Sequence, residues 1–276
     1  MLGCCCLWQE VALASSVTIT YADLEGRNEE SQFAYAVLEL VLQRSGGAFK
    51  LQKSKTEMTD SRARQQLVSG KIDVSWLGIS DVMPKEITLI PIPLTRGILG
   101  KRVLVIRGHD RQKFKHIHSI SDLQPLTAGL GLGWPITTIL ASNGLPVTSV
   151  SNINSIFKML ASGRIDYIPL GANEARSFVS MYQAHFEDID LVSDFYLDIP
   201  RYDFFFFVHR DNLKLHELLL AGFASAYEDG SYMTLYQSHP QHFPLKELAL
   251  EQRRAILFEN PLMTREIQHI DTRYWQ

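Results

Sequence analysis

The sequence predicts an α/β fold of two lobes, built on mostly parallel sheets flanked by helices, with a cleft between them. Three observations carry that expectation. Residues 17–78 alternate short β-branched runs with segments of helical apolar spacing in the order β-α-β-α-β, which gives parallel strands with helices on the sheet faces. A second unit of the same kind begins near Arg107 and centres on 129–176, GLGLGWPITTILASNGLPVTSVSNINSIFKMLASGRIDYIPLGANEAR. Two extended apolar runs, 103–106 and 204–208, join the units, so the chain would leave the first lobe, build the second and return. The expected boundaries are 17–104 with 205–276 for the first lobe and 105–204 for the second.

In chain order, VTITY at 17–21 alternates and is β-branched, as a half-buried strand does. The polar stretch 22–30 reads as a loop. Phe33, Ala36, Val37, Leu40 and Val41 recur at helical spacing until Gly46 and Gly47 stop the helix. Residues 49–53 form a second short strand, Asp60 stands where an N-cap would open a helix over 61–68, and Gly70 ends that helix. IDVSWL at 72–77 is a third strand. Over 87–106 the character changes to an extended apolar run punctuated by Gly97 and Gly100. Ser119 or Ser121 can cap a short helical turn before the second unit. There, 127–130 feeds Gly131-Leu132-Gly133, and Pro135 sits where a first helical turn tolerates a missing N–H. Strand 167–170 meets Gly171-Ala172-Asn173-Glu174, a second turn that opens a helix. Two strand ends followed by helix N-termini aim free backbone N–H groups at one place, which suits an anionic group, although many such turns hold nothing.

Further on, helix continues over 179–186, 189–192 is a short strand, and FYLDIPRYDFFFFVHR spans 195–210. Its four consecutive phenylalanines fit a strand of a mostly parallel sheet buried on both faces; an aromatic ligand cage is the sharper alternative. Residues 213–226 are helical, with Leu215, Leu218, Leu219 and Phe223 on one face, and 231–237 restart a helix after Asp229-Gly230. The stretch 244–276 reads as mixed helix and loop.

Composition narrows the function. With 276 residues, 46% apolar and 21% charged, the chain has the make-up of an ordinary globular protein with a sizeable core. A net charge of −3 gives no global attraction to nucleic acid or an anionic membrane. All three cysteines lie at 4–6, which excludes a disulfide framework and a thiolate metal site from the rest of the chain. The segment 1–16, MLGCCCLWQEVALASS, ends in an Ala-x-Ala pattern and reads as an export signal lacking a basic start; a frayed tail and a lipid-anchored Cys4 are the competing readings. A cysteine-free body after such a segment points to the periplasm. There is no H-E-x-x-H, G-x-S-x-G or phosphate-loop motif, so neither catalytic residue, metal nor cofactor is expected.

Five segments occur in a family's order across nearly the whole chain: LVSGKIDVSWLG (67–78), GILGKRVLVIR (97–107), GLGWPITTILASNGL (131–145), LASGRIDYIPLGANE (160–174) and FFFFVHRDN…AYEDGSY (204–232). In these the chain resembles the bacterial extracellular solute-binding proteins that capture polar amino acids for ABC transporters, family 3-like, with the type II periplasmic-binding fold. The nearest likeness is to an uncharacterised branch with Trp-Pro after the glycine turn. The resemblance implies a periplasmic monomer that closes on a small polar metabolite, amino-acid-like or a small carboxylate, and hands it to a membrane permease or receptor, with no nucleic-acid partner. Two departures stand out. Amino-acid binders of the family place a carboxylate-gripping arginine just past the third strand, whereas GISDVMPKEITL offers Lys85, a point charge without the guanidinium fork. Ile136 and Leu170 stand where the branch commonly has polar residues. The alternatives are a dehydratase-like enzyme on the same scaffold, with Glu174 as general acid on a small carboxylate, and a ligand-sensing partner of a receptor.

The expected ligand-binding residues are Tyr21, Trp76, Lys85, Arg96, Gly131, Trp134, Gly171, Asn173 and Glu174. Tyr21 and Trp76 end strands and would stack on a ligand, or else fill a lobe core. Trp134, directly after the glycine turn, is expected on the cleft wall. Glu174 would meet a ligand amine, or complement the helix dipole. Arg96 would take a carboxylate, or sit solvated at the surface. Arg164 and Asp166 read as structural.

Overall fold

The computed structural model describes residues 17–24 and 28–276; the expected export segment at 1–16 lies outside them. The chain opens with β1 (Val17–Leu24), α1 (Asn28–Arg44), β2 (Phe49–Met58), α2 (Asp60–Val68), β3 (Val74–Gly78) and β4 (Ile87–Leu89). In α1, Phe33, Val37, Leu38, Val41 and Leu42 are buried at the i, i+4, i+8 spacing that makes one face of a helix apolar. The cap of α2 is Thr59, whose side chain accepts from the Arg62 amide; Asp60 falls instead in the first turn, where its charge complements the helix dipole.

The second unit comprises β5 (Lys101–Arg107), α3 (Arg111–Phe114), α4 (Ile120–Leu123), β6 (Ala128–Gly131), α5 (Ile136–Ser142), β7 (Val147–Val150), α6 (Ile153–Ala161), β8 (Ile168–Gly171), α7 (Ala172–Gln183), β9 (Ile189–Leu191) and β10 (Phe195–Asp198). The chain then returns through β11 (Phe204–His209), α8 (Leu213–Glu228) and α9 (Ser231–Ser238), and finishes with α10 (Phe243–Leu248), β12 (Arg254–Leu257) and α11 (Arg265–Gln268).

One sheet has the strand order β2-β1-β3-β11-β4 and another β12-β10-β5-β8, with β9 also on β5; β6 and β7 form a small parallel pair. Pairing is parallel among β1, β2 and β3, as the β-α-β order requires. It is antiparallel where a strand has just come across from the other sheet: β11 against β3 and β4, and β5 against β8, β9 and β10. The phenylalanine strand is thus buried on both faces but in an antiparallel setting, because it arrives from the opposite direction. Alternation along β5 serves two cores, Leu104 and Ile106 packing into one and Val103 and Val105 into the other.

The apolar runs at 103–106 and 204–208 lie inside sheets, so the chain passes between sheets just before them, at 90–100 and 199–203. These crossings are bonded to each other. Leu94 N donates to Phe204 O at 3.0 Å and Ile199 N to Gly100 O at 2.9 Å. Gly100 is required by that approach, since a Cβ there would collide with the Ile199 carbonyl. Asp203 is 1% exposed, and its carboxylate accepts from Thr95 N at 3.0 Å, Thr95 Oγ1 at 2.9 Å, Gly97 N at 2.5 Å and Phe204 N at 2.7 Å.

A third length of chain braces the crossings. Arg96 and Arg201, one in each, have left-handed backbones at φ 56° and 52°, a strained conformation for a side-chain-bearing residue. Arg96 donates to the carbonyls of Arg273 and Trp275 at 3.1 and 3.0 Å, and Arg201 to those of Ile267 and Ile270 at 3.2 and 2.9 Å. The Trp275 ring lies over Gly97 and 5.3 Å from the Arg201 guanidinium.

Burial pushes the Asp203 carboxyl up to about 7 against the pull of its donors. An unfolded aspartate titrates near 4, so between about pH 4 and 7 the native state holds more protons and stability falls as pH rises. Thermal melts across that window are expected to show the slope, and Asp203→Asn to flatten it. The same substitution turns an acceptor oxygen into a donor among N–H groups and is expected to cost about 1–3 kcal/mol in urea denaturation.

Candidate functional site

Beside the crossings lies a cavity of about 730 Å³. Its polar end is set by β5 and the start of α7. Arg102 is 4% exposed and donates through Nη1 to Glu174 Oε1 at 3.2 Å, while its guanidinium lies 5.2 Å from the Tyr202 ring centre. Glu174 Oε1 also accepts the Gly171 amide at 2.7 Å, closing the first turn of α7. Arg102 Nε is buried and has no hydrogen-bond partner. Beneath this pair, Asn173 is 1% exposed with both amide atoms unpartnered, and its Oδ1 would stand 2.7 Å from a Cβ on Gly171. Orphaned buried donors and acceptors of this kind are rare in folded proteins and point to something that completes them.

Much of the remaining lining is apolar, from Ile136, Ile153, Phe178, Met181 and Phe204, interrupted by the polar Asn154, Ser177 and Ser180. Trp134 joins this wall because its indole folds back on Gly131, where any Cβ would strike the ring. At the rim the two sheets come close: Pro135 Cγ lies 3.3 Å, and Tyr202 Oη 3.7 Å, from the position of a Cβ on Gly78 at the end of β3.

Of the nine expected residues, Trp134 and Glu174 line the cavity, and Gly131, Gly171 and Asn173 form the two turns behind it. Tyr21 and Trp76 stack on each other at 5.9 Å, and Trp76 is 1% exposed in the core of the first sheet with Nε1 unpartnered. Neither Tyr21 nor Trp76 lines the cavity, nor does the exposed Lys85. The Arg96 guanidinium faces the tail carbonyls instead. Leu170 is fully buried and pairs with Val103, away from the wall that Ile136 joins. Asp166 accepts from Thr127 N at 2.8 Å and pairs with Lys113, a structural role.

Arg102, Tyr202, Phe204 and the α7 face around Phe178 and Met181 are cavity residues that sequence reasoning missed. For Arg102 a signal existed: a charge inside KRVLVIR, a strand whose other residues read as buried. The phenylalanine run divides, Phe205 to Phe207 filling core while Phe204 faces the cavity. Among the described residues no cluster of His, Cys, Asp or Glu could hold a metal ion. Gly131→Ala is expected to displace the Trp134 indole, shifting tryptophan emission and costing about 1–3 kcal/mol of stability.

No family model matches the chain, and no curated protein matches it. Solved structures do. An ancestral arginine-binding protein bound to glutamine superposes with a TM-score of 0.58 at 17% identity, covering 82% of this chain and 98% of that one. The amino acid ABC transporter substrate-binding protein AbpA from Streptococcus pneumoniae, bound to L-arginine, gives 0.57 at 16%, covering 84% and 95%. The periplasmic VFT2 domain of Bordetella pertussis BvgS gives 0.59 at 17%, covering 81% and 93%. The chain therefore has the two-lobed α/β fold shared by these amino-acid-binding proteins and this periplasmic domain.

Proposed function

We propose that this chain is a non-catalytic, exported solute-binding protein that captures a small carboxylate-bearing metabolite between its lobes and delivers it to a membrane permease of the ABC type. The observation that carries the reading is the cavity beside the crossings, where the buried Arg102 meets the first turn of α7 through Glu174. A guanidinium donor is what a carboxylate needs.

The lobe division that fits the sheets runs through the crossings at 90–100 and 199–203, a few residues before the expected boundaries at 104 and 204, with 254–257 returning to the second sheet. Closure would turn about these crossings, whose mutual hydrogen bonds make them act as one hinge. A ligand favours the closed form only by touching both lobes. Phe204, on β11 of the first sheet, and Arg102, on β5 of the second, offer such contacts across the cavity. Against an enzyme on this scaffold stands the engagement of Glu174, whose Oε1 is already taken up as acceptor of Arg102 and the Gly171 amide.

Purified protein screened by thermal shift against small carboxylates and amino acids is expected to yield a ligand that raises Tm by several degrees and is recovered unchanged by mass spectrometry. Chemical conversion of the bound compound would overturn the binding reading.

A further inference from the structure

We propose that the cavity takes an arylalkanoate, a flat apolar body carrying one carboxylate and no ammonium group. This rests on the capture reading above and names the class of ligand.

Three features lead to it. First, the wall carries a guanidinium donor, Arg102, bonded through Nη1 to Glu174. Second, the charges on the wall favour an anion over a zwitterion, two guanidinium groups against one carboxylate. Glu174 is the cavity's one carboxylate, and it is neutralised by Arg102 and bonded to the Gly171 amide. The other charge, Arg176, is positive and lies 3.5 Å from Glu247 outside the wall. An α-ammonium group would sit beside two guanidinium groups and compete with Arg102 for Glu174, an unfavourable balance for a buried cation. Asn173, whose amide is also unpartnered, lies beneath Gly171 and not on the wall. Third, much of the lining suits an apolar body. Trp134, Phe178 and Phe204 present aromatic surface, and Ile136, Ile153 and Met181 fill between them. A second charged group on the ligand, as in a polar amino acid, would lose solvation against these side chains. At about 730 Å³ the cavity is in the range that encloses ligands larger than a simple two- or three-carbon acid.

The test is isothermal titration of the full chain with four probes: 3-phenylpropanoate, its uncharged amide 3-phenylpropanamide, L-phenylalanine and L-glutamate. The acid is expected to bind about tenfold or more tightly than the amide, the worth of a charge-assisted hydrogen bond, and to change Trp134 emission. Phenylalanine is expected to bind about tenfold or more weakly than the acid, and glutamate not at all. Arg102→Gln should bring the acid down to the affinity of the amide while leaving the amide unaffected. Should that variant fail to fold, the acid-to-amide ratio in the native chain decides alone. Tighter binding of phenylalanine or glutamate than of the acid overturns the arylalkanoate class while leaving solute capture standing. Equal affinity for acid and amide, or no binding of the acid at millimolar concentration, overturns the class outright. A ligand chemically converted in the thermal-shift screen is the separate result that removes the capture reading itself.

Discussion

A single buried carboxylate holds the two passages between the sheets together. Asp203 belongs to the returning passage, yet it takes the amides of Thr95 and Gly97 and the hydroxyl of Thr95 from the outgoing one. A charge in that position needs donors on every side, and the backbone supplies them. The outgoing passage is shaped to do so: Arg96 and Gly97 both adopt left-handed conformations, and the Gly97 amide meets the carboxylate. The carbonyls that such a bend leaves open are met from the first sheet's side, Tyr232 Oη donating to Leu94 O at 2.7 Å and Tyr236 Oη to Thr95 O at 3.4 Å. Few backbone groups at the junction are left to solvent or to chance.

The cavity inherits its geometry from this junction. β5 starts at Lys101 and β11 at Phe204, each immediately after a passage, so Arg102 on one and Phe204 on the other are placed by the same carboxylate. Tyr202 lies between Asp203 and the Arg102 guanidinium it stacks on. The site is therefore assembled at the point where the chain is least free to shift, and its apolar side is added by α5, α6 and α7 from the second sheet's flank.

The order of strands and helices was legible in the sequence because period-2 and period-3.6 patterns report local structure directly. Sheet membership was not. VLVIR and FFFFV announce buried strands, but hydrophobicity says nothing about which sheet buries them, so the passages were placed several residues late. RAIL at β12 escaped because four residues, of which only Ile256 is buried, carry almost no periodic signal. Thr59 and Asp60 are both good caps, and only the position of the turn separates them. At the site, the turn residues Gly131, Gly171 and Glu174 could be found from strand–glycine–helix spacing. Trp76 could not be sorted the same way, since the end of a strand faces core or cleft according to how the second lobe sits. Arg102 is harder to place than the strand it opens, because a basic residue next to Lys101 reads as the polar edge of VLVIR and not as part of it.

The brace formed by 267–275 bears on the order in which the molecule acquires its structure. Its hydrogen bonds to Arg96 span 177 and 179 residues of sequence, among the longest separations in the chain. Contacts of that range close the largest loops and tend to form after local pairing is complete. Each sheet's helices and neighbouring strands can thus settle while the arginine-bearing passages are still unbraced. The lobes would find their own cores first and their mutual orientation last.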